Sequence, residues 1–267
     1  MKTTKLIFAS LAALSLGMAQ GALTTTIIGS GGGSVTDNGG GSYTLSDSTD
    51  TGDFWNGDDE GTYHHEDVRV TGSFSAVVRI TGQSEAANGR WGKAGIMARD
   101  TILGQTSSMA MAQVASGNGS QAGGADPVPN RLSVLRNQAG DGGGEISILP
   151  ETTNNTFNTD GSVTLTWLRL DYDSANGNFR AGHAADVAGA PGAWSFSPSE
   201  SGVYDADPAD GWWVGMAYSA HNSMSLASGE GQHSVTFDNF SITQGVPEPS
   251  TTFLGLGALG LLIRRKR

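Results

Sequence analysis

The side chains best suited to chemistry are the carboxylates of an acidic stretch near the start of the chain, residues 47–61 (DSTDTGDFWNGDDEG). This stretch places six acids around Phe54 and Trp55. Because clustered carboxylates repel one another, a calcium ion would stabilise them, and the stretch is a candidate calcium-binding loop. The alternative is an acidic surface loop whose two aromatic rings are tucked into the core. The candidate calcium ligands are Asp53, Asp58 and Asp59.

A search for a catalytic pair of carboxylates leads only to residues 58–67 (DDEGTYHHED). Glycoside hydrolysis needs an acid and a base or nucleophile positioned around one bond. Glu66 and Asp67 are adjacent, so on a strand they point to opposite faces. The same argument applies to His64 and His65, which suit one buried and one exposed ring better than a metal chelate. The sequence therefore predicts no catalytic residue.

Aromatic rings that can stack on sugars are the candidates for ligand binding. For each of them, packing in the core is the alternative. Trp212 and Trp213 are adjacent, so at least one of the two should lie in the core of a β-protein. The candidate ligand-binding residues are Trp55, Trp91, Trp212 and His221.

The charge of the chain restricts its partners. The 267 residues carry 15 Lys and Arg against 26 Asp and Glu, and no cysteine. The body, residues 23–245, keeps nine of these cations and 25 of the acids, so its formal charge is −16. A surface this acidic repels nucleic acid and anionic lipid, and it suits contact with cations or neutral polymers. Without disulfides, stability must come from a hydrophobic core.

The body reads as a series of short strands. Glycine accounts for 40 residues, and no long window has a helical period. Alternating apolar and polar residues predict an antiparallel two-sheet jelly-roll sandwich forming one domain over residues 23–245. A parallel β-helix is the alternative, but no repeat of 20–25 residues is visible. The predicted strands are Thr24–Ile28, Ser42–Ser46, Ser73–Thr81, Arg90–Asp100, Ser107–Ala115, Asn130–Asn137, Glu145–Leu149, Val163–Tyr172, Asn178–Ala184, Ala193–Phe196, Trp212–Ser219 and His233–Ile242.

Three local features refine this prediction. Residues 173–177 (DSANG) are predicted to form a hairpin turn, and residues 138–144 a glycine-rich loop. The apolar phase shifts at Asp238-Asn239, which indicates a β-bulge. Lys93 and Arg99 should share the outer face of their strand, where Arg99 is expected to be a surface cation or to reach Asp100 or Asp238.

Four segments carry a resemblance to a known superfamily: residues 91–99 (WGKAGIMAR), 167–170 (WLRL), 211–222 and 236–240 (TFDNF). In this order they resemble bacterial extracellular modules of the concanavalin-A-like lectin/glucanase superfamily. The resemblance covers roughly residues 42–243 and implies a jelly-roll sandwich with carbohydrate-related roles. It implies no particular activity, because the superfamily includes lectins, hydrolases, lyases and structural modules. The E-x-D-x-E motif of laminarinase-type glucanases is absent from this chain.

Both ends of the chain are predicted targeting segments. Residues 1–22 have two lysines before an apolar stretch and small residues, which predicts a signal peptide cleaved after Ala19 or Ala22. Residues 246–267 (VPEPSTTFLGLGALGLLIRRKR) combine a short motif, a marginal apolar helix and a basic end. They resemble the PEP-CTERM tail that an exosortase recognises. The residues of the motif and of the basic end are Pro247, Glu248, Pro249, Arg264, Arg265, Lys266 and Arg267.

Together these features predict an exported protein of the cell surface or extracellular matrix. It would pass through the Sec machinery, insert its tail transiently in the inner membrane and be sorted by an exosortase. The predicted role is a non-catalytic module that binds a neutral polysaccharide or serves structurally in the exopolysaccharide layer. Two alternatives remain: an extracellular hydrolase or lyase that degrades polysaccharide, and an adhesive structural protein without a ligand.

Overall fold

The computed structural model describes residues 21–29, 32–47, 54, 59–84, 90–103, 107–117, 133–139, 142–147, 166–198, 210–220 and 233–245. All regular elements within these ranges are β-strands, as the alternating pattern predicts. They include no helix long and apolar enough to cross a membrane. The predicted sorting tail and residues 1–20 of the predicted signal peptide lie outside the described residues.

The described strands form two antiparallel sheets. In order across the first, seven-stranded sheet lie β1 (Leu23–Ile28), β4 (Gly61–Glu66), β14 (Trp213–Ser219), β6 (Arg90–Arg99), β7 (Met109–Gly117), β8 (Ser133–Ala139) and β9 (Gly142–Ser147). In order across the second, eight-stranded sheet lie β12 (Ala190–Pro191), β11 (Asn178–Val187), β10 (Thr166–Asp173), β5 (Phe74–Ser84), β15 (His233–Gln244), β3 (Ser42–Asp47) and β2 (Gly33–Gly39), and β13 (Ser195–Phe196) pairs with β11. The prediction of an antiparallel two-sheet sandwich is confirmed.

The main core lies between the two sheets, where their inward-facing side chains are buried. On β5 the alternating apolar residues of Phe74–Ile80 face inward and are at most 3% exposed, as predicted. Trp212 packs edge-on against Tyr172 and Phe179, with ring centroids 5.5 and 5.0 Å away. Burying a large apolar side chain stabilises a fold by about 1.5–3 kcal/mol, so this core can hold the sheets together without disulfides.

The predicted hairpin and bulge are both confirmed. Strands β10 and β11 pair directly across the turn, and Gly177 has the positive φ, 65°, that the turn requires. The Asp173 carboxylate accepts hydrogen bonds from the Ala175 amide (3.0 Å) and the Asn176 side chain (2.6 Å). On β15 the register shifts between Asp238 and Ser241.

Strands β2, β4 and β12 are absent from the predicted strands, and one predicted loop is part of a strand pair. Strand β2 has no apolar alternation beyond Val35, but it pairs with β3 along nearly its whole length. Most of its side chains are half-exposed or exposed, so its local pattern carried little signal. Residues 138–144 were predicted to be a loop, but the β8–β9 ladder extends to the Ala139–Gly142 pair. In both places, pairing with a neighbouring strand has produced β-structure that the local sequence did not predict.

The outer face of the seven-stranded sheet is the one turned away from the core. Gly95 and Gly215 lie on this face in the middle strands β6 and β14. A Cβ atom on Gly95 would come within 2.0 Å of the Ala112 carbonyl oxygen, and one on Gly215 within 2.3 Å of the His64 carbonyl oxygen. Glycine is therefore required at both positions, because neighbouring backbone occupies the space of a side chain.

Candidate functional site

The outer face of the seven-stranded sheet carries polar side chains that are buried although they lie outside the main core. Alternation on β6 sends Ala94, Ile96 and Ala98 into the core, and Lys93 and Arg99 to the outer face, as predicted. Both of these cations are buried, with Lys93 only 4% exposed and Arg99 not exposed at all. A buried charge is costly without partners, so this face is a specialised environment.

Three polar side chains cross the outer face on neighbouring strands, and we call them the polar row: Lys93 of β6, Gln113 of β7 and Ser219 of β14. Ser219 is the direct cross-strand partner of Lys93, and Gln113 is the partner of Gly95, two residues along β6. Gln113 and Ser219 have no exposed surface. The Ser219 hydroxyl is buried and finds no hydrogen-bond partner in the structure. An ammonium, an amide and a hydroxyl at this spacing can bind a ligand rich in hydroxyl groups.

A fully buried ion pair lies on the same face. Arg99 donates from Nη1 to Asp59 Oδ2 at 2.8 Å, and neither side chain is exposed. Arg99 also donates from Nε to the Thr101 carbonyl oxygen at 3.2 Å. The prediction that Arg99 is a surface cation, or a partner of Asp100 or Asp238, is therefore wrong. Asp59, two residues before β4, reaches Arg99 on the outer face although the two are 40 residues apart in the chain.

Asp59 was one of the predicted calcium ligands, and its position does not suit that role. Its carboxylate already faces the buried guanidinium of Arg99, whose positive charge would oppose a second cation. No group of three or more His, Asp or Glu able to hold a metal ion occurs among the described residues. Asp53 and Asp58 lie outside the described ranges, so a calcium ion there remains a prediction.

An apolar cluster fills the space beside these polar groups. Phe54 is fully buried, which agrees with the alternative in which the aromatic rings of the acidic stretch pack inside the protein. The buried hydroxyl of Tyr63 is hydrogen-bonded to the Trp213 carbonyl oxygen at 2.7 Å, and burial raises its pKa well above the usual value. The buried members of the cluster are Ile28, Phe54, Tyr63, Met97, Met109, Met111 and Ala217.

The adjacent histidines of β4 point to opposite faces, but both are buried. The expectation of one buried and one exposed ring is therefore wrong. His64 Nδ1 is hydrogen-bonded to the Thr25 hydroxyl and His65 Nε2 to the Thr26 hydroxyl, both at 3.0 Å. These contacts form because β1 pairs with β4. Burial lowers the pKa of both rings. They are structural side chains, each engaged with the neighbouring strand.

The outer face of the eight-stranded sheet carries a second arginine–aspartate site, and this one is partly exposed, with 11–19% of each side chain accessible. Arg79 donates to both oxygens of Asp238, at 2.8 and 2.5 Å, and to Asp186 at 3.2 Å. Asp186 also accepts from the Trp167 indole nitrogen at 2.8 Å, and the Arg79 guanidinium lies 5.6 Å from the centroid of that ring. The bulge residue Asp238 thus anchors a side-chain network rather than only free backbone groups.

Farther along the same face lies a group that we call the arginine–aromatic surface: Arg169, Asp171, Arg180, Trp194 and Phe196. The two carboxylate oxygens of Asp171 accept one hydrogen bond each, from Arg169 at 2.6 Å and from Arg180 at 2.8 Å. The Arg180 guanidinium lies 4.0 Å from the centroid of Phe196, and that of Arg169 lies over both rings. The rings are half-buried and fold over Gly182, where a Cβ would come within 2.8 Å of Phe196.

Among the four predicted ligand-binding residues, Trp212 is the one whose side chain the structure describes. Trp212 lies in the main core, where its ring contacts Tyr172 and Phe179 and has no exposed surface. This position does not fit the predicted role in ligand binding. At least one of Trp212 and Trp213 was expected in the core, and this is confirmed. Trp91 belongs to β6, and its side chain lies outside the description. The predicted residues that lie outside the described ranges are Trp55, His221, Pro247, Glu248, Pro249, Arg264, Arg265, Lys266 and Arg267.

The polar row and the two arginine clusters were missed as groups by sequence reasoning. Lys93 was placed on the correct face, but Gln113 and Ser219 were not singled out. The available signal was weak: each is one polar residue at an outward position of an otherwise apolar strand, a pattern that also describes ordinary surface residues. Their proximity follows from the pairing of β14, β6 and β7, which the sequence did not specify.

No protein-family model matches this chain, and no curated protein matches it in sequence. Similar solved structures include arcelin-5, a lectin-like defense protein from Phaseolus vulgaris (11% identity, 86% of this chain and 96% of that chain, TM-score 0.44) and a peanut lectin with a bound 9mer peptide (15%, 86% and 94%, 0.44). The Ca²⁺/Man3GlcNAc-bound exoplasmic/lumenal domain of VIP36 is also similar (9%, 85% and 86%, 0.43). At these identities and scores the likeness concerns the two-sheet β fold and extends no further.

Proposed function

We propose that this protein is an exported, non-catalytic module of the cell surface or extracellular matrix that binds a neutral polysaccharide at the polar row. The observation that carries the proposal is the burial of Lys93, Gln113 and Ser219 side by side on an outer sheet face. Two sheets need one core between them, so polar groups on the outer face are not required by the packing of the sandwich.

The energetics of Ser219 support a ligand. A buried hydroxyl without a partner costs about 1–3 kcal/mol, and the Ser219 Oγ atom is in this position. A ligand hydroxyl that reached the Ser219 Oγ atom would supply the missing hydrogen bond, and because Ser219 has no exposed surface, the groups that cover it must move for this to happen. Sugars offer hydroxyl groups that act as donor and acceptor, which suits a serine beside an amide and an ammonium. The formal charge of −16 of the body favours a neutral polymer over an anionic one at low ionic strength, where these charges are little screened.

The test compares Ser219→Ala with Ser75→Ala, a half-buried serine on the outer face of the other sheet. We expect Ser219→Ala to weaken binding in a pull-down with neutral polysaccharides at least threefold while leaving the melting temperature unchanged or slightly raised. Ser75→Ala should leave binding unchanged. If the wild-type protein binds no neutral polymer, or if both variants bind equally well, the proposal fails. Release of reducing ends or unsaturated sugars by the purified protein would contradict its non-catalytic part.

The export and sorting part of the proposal rests on the two ends of the sequence. A signal peptide over residues 1–22 and a PEP-CTERM-like tail over residues 246–267 support Sec export followed by recognition by an exosortase. Mass spectrometry of the surface form tests this directly. We expect a mature chain that lacks both the signal peptide and Phe253–Arg267, whereas retention of the tail would indicate anchoring without processing.

A further inference from the structure

The arginine–aromatic surface has a charge imbalance that the proposed function does not use. Arg169 and Arg180 carry two positive charges and share the single carboxylate of Asp171. Within the described part of the chain, no other carboxylate lies at ion-pair distance from either guanidinium. Over the described residues the cluster therefore holds a local charge of +1, whereas the formal charge of the body is −16.

The guanidiniums of Arg169 and Arg180 also keep N–H donors that Asp171 does not use. Each has five N–H donors, and Arg169 uses Nε and Arg180 uses one Nη on Asp171. Arg169 is left with the pair of Nη groups that matches a carboxylate in a bidentate geometry. The side chains are accessible, with Arg169 31% exposed and Arg180 42% exposed. Donors of this kind are directed at an anionic, planar acceptor group.

The neighbouring rings restrict the rest of the ligand. Trp194 and Phe196 are half-buried, with centroids 6.2 Å apart and planes inclined by 30°. Because both arginines lie over Phe196, that ring mainly holds the guanidiniums in place. Trp194 has Arg169 at 6.0 Å, a looser contact that leaves area for stacking on a saturated ring.

We propose that the arginine–aromatic surface is a second binding site, which takes a carboxylate-bearing sugar unit of an acidic polysaccharide. The sugar carboxylate binds the free donors of Arg169 and Arg180, and its ring stacks on Trp194. This site lies on the opposite sheet from the polar row and does not depend on it. The acidic body does not prevent binding, because charges more than about 8 Å away are largely screened at physiological ionic strength.

The experiment is calorimetric titration of the purified full-length protein with an oligogalacturonate, and with the same oligosaccharide after reduction of its carboxyl groups. We expect the acidic oligosaccharide to bind at least tenfold more tightly than the reduced one, with an affinity that falls as sodium chloride is raised from 50 to 300 mM. Arg180→Gln should weaken binding of the acidic form at least tenfold. Trp194→Ala should weaken binding of both forms by a similar factor.

The matched control is Arg69→Gln, because Arg69 also lies over a tryptophan, 5.5 Å from the centroid of the Trp213 ring, but bonds a carbonyl oxygen instead of a shared carboxylate. We expect it to change the affinity less than twofold. Arg169→Lys keeps the positive charge but removes the pair of Nη groups that can bind a carboxylate in a bidentate geometry. This variant should lose most of the preference for the acidic form. Equal affinity for the acidic and reduced forms, no binding of either, or equal losses in Arg69→Gln and Arg180→Gln would overturn the proposal. Ser219→Ala should leave this binding unchanged, so the failure of one site is distinguishable from that of the other.

Discussion

The two outer faces of the sandwich use the same pair of functional groups in opposite environments. On the seven-stranded sheet, Arg99 and Asp59 form one contact at 2.8 Å, and both side chains are fully buried. On the eight-stranded sheet, Arg79 binds Asp238 and Asp186, and all three side chains keep between 11% and 19% of their surface exposed. The difference lies in hydration rather than in the chemistry of the groups.

Hydration decides what each cluster contributes. Removing both members of a buried pair from water costs several kcal/mol, so Arg99 and Asp59 depend on each other but add little net stability. The cluster of Arg79, Asp186 and Asp238, which we call the exposed cluster, keeps some accessible surface and distributes its bonds over three side chains. The pKa of Asp186 is lowered, first by the hydrogen bond from the Gly189 amide and further by Trp167 and Arg79. We therefore expect the buried pair to be fragile and the exposed cluster to tolerate the loss of one member.

The largest expected effect comes from breaking the buried pair. Asp59→Asn keeps the shape of the side chain but removes the negative charge that faces the buried Arg99 guanidinium, which should lower the free energy of unfolding by about 3–5 kcal/mol. Urea denaturation measures the change. The double variant Asp59→Leu with Arg99→Met removes both charges and should recover most of the loss. A loss below about 1 kcal/mol in Asp59→Asn would mean that water reaches this face.

A second expected effect is a pH dependence of stability that has opposite signs for one residue of each sheet. Burial raises the pKa of Glu66, on β4 of the seven-stranded sheet, from 4.5 to about 7. Burial lowers the pKa of His183, on β11 of the eight-stranded sheet, from 6.5 to about 4. The folded state thus binds a proton more tightly than the unfolded state at Glu66, and less tightly at His183. The stabilisation linked to Glu66 is lost as pH rises through 7, and that linked to His183 is lost as pH falls towards 4.

Relative to the wild type, Glu66→Gln should therefore gain about 2 kcal/mol of stability as pH rises from 5 to 7. His183→Gln should gain about the same relative to the wild type as pH falls from 6.5 to 4.5. Differences from the wild type are compared because His64 and His65 titrate in both proteins. Urea denaturation across this pH range checks both trends, and a pH-independent difference for either variant would contradict its pKa shift.

The smallest expected effect comes from the exposed cluster. Asp238→Asn leaves Arg79 bonded to Asp186, and we expect the loss of the partly exposed Arg79–Asp238 pair to cost about 1–2 kcal/mol. The loss should shrink further at high salt, because the site is open to ions. Urea denaturation at 0.05 and 0.5 M sodium chloride measures this. If Asp238→Asn destabilises the protein as much as Asp59→Asn does, the contrast between the two faces is wrong.

The sequence was sufficient for those parts of the fold that depend on near neighbours. Alternation on β5 and β6 identified which side chains enter the core, because successive residues of a strand point to opposite faces whatever the strand pairs with. The hairpin after Asp173 and the bulge at Asp238 were predictable for the same reason, since each depends on a few consecutive residues. Strand β2 was missed because its side chains are mostly exposed and its existence depends on β3.

The candidate sites were decided by the tertiary structure. Arg99 meets a partner 40 residues away and Arg79 one 159 residues away, and both choices depend on strand order and on segments that fold across a sheet face. The polar row likewise exists only because β14, β6 and β7 are neighbours in a particular register. By itself the sequence determined a charge of −16 and the alternation of a sandwich, and it predicts targeting segments at both ends. Only the pairing of distant strands decided which charges are buried together and which remain in water, because burial and proximity belong to the assembled sheets and not to any single strand.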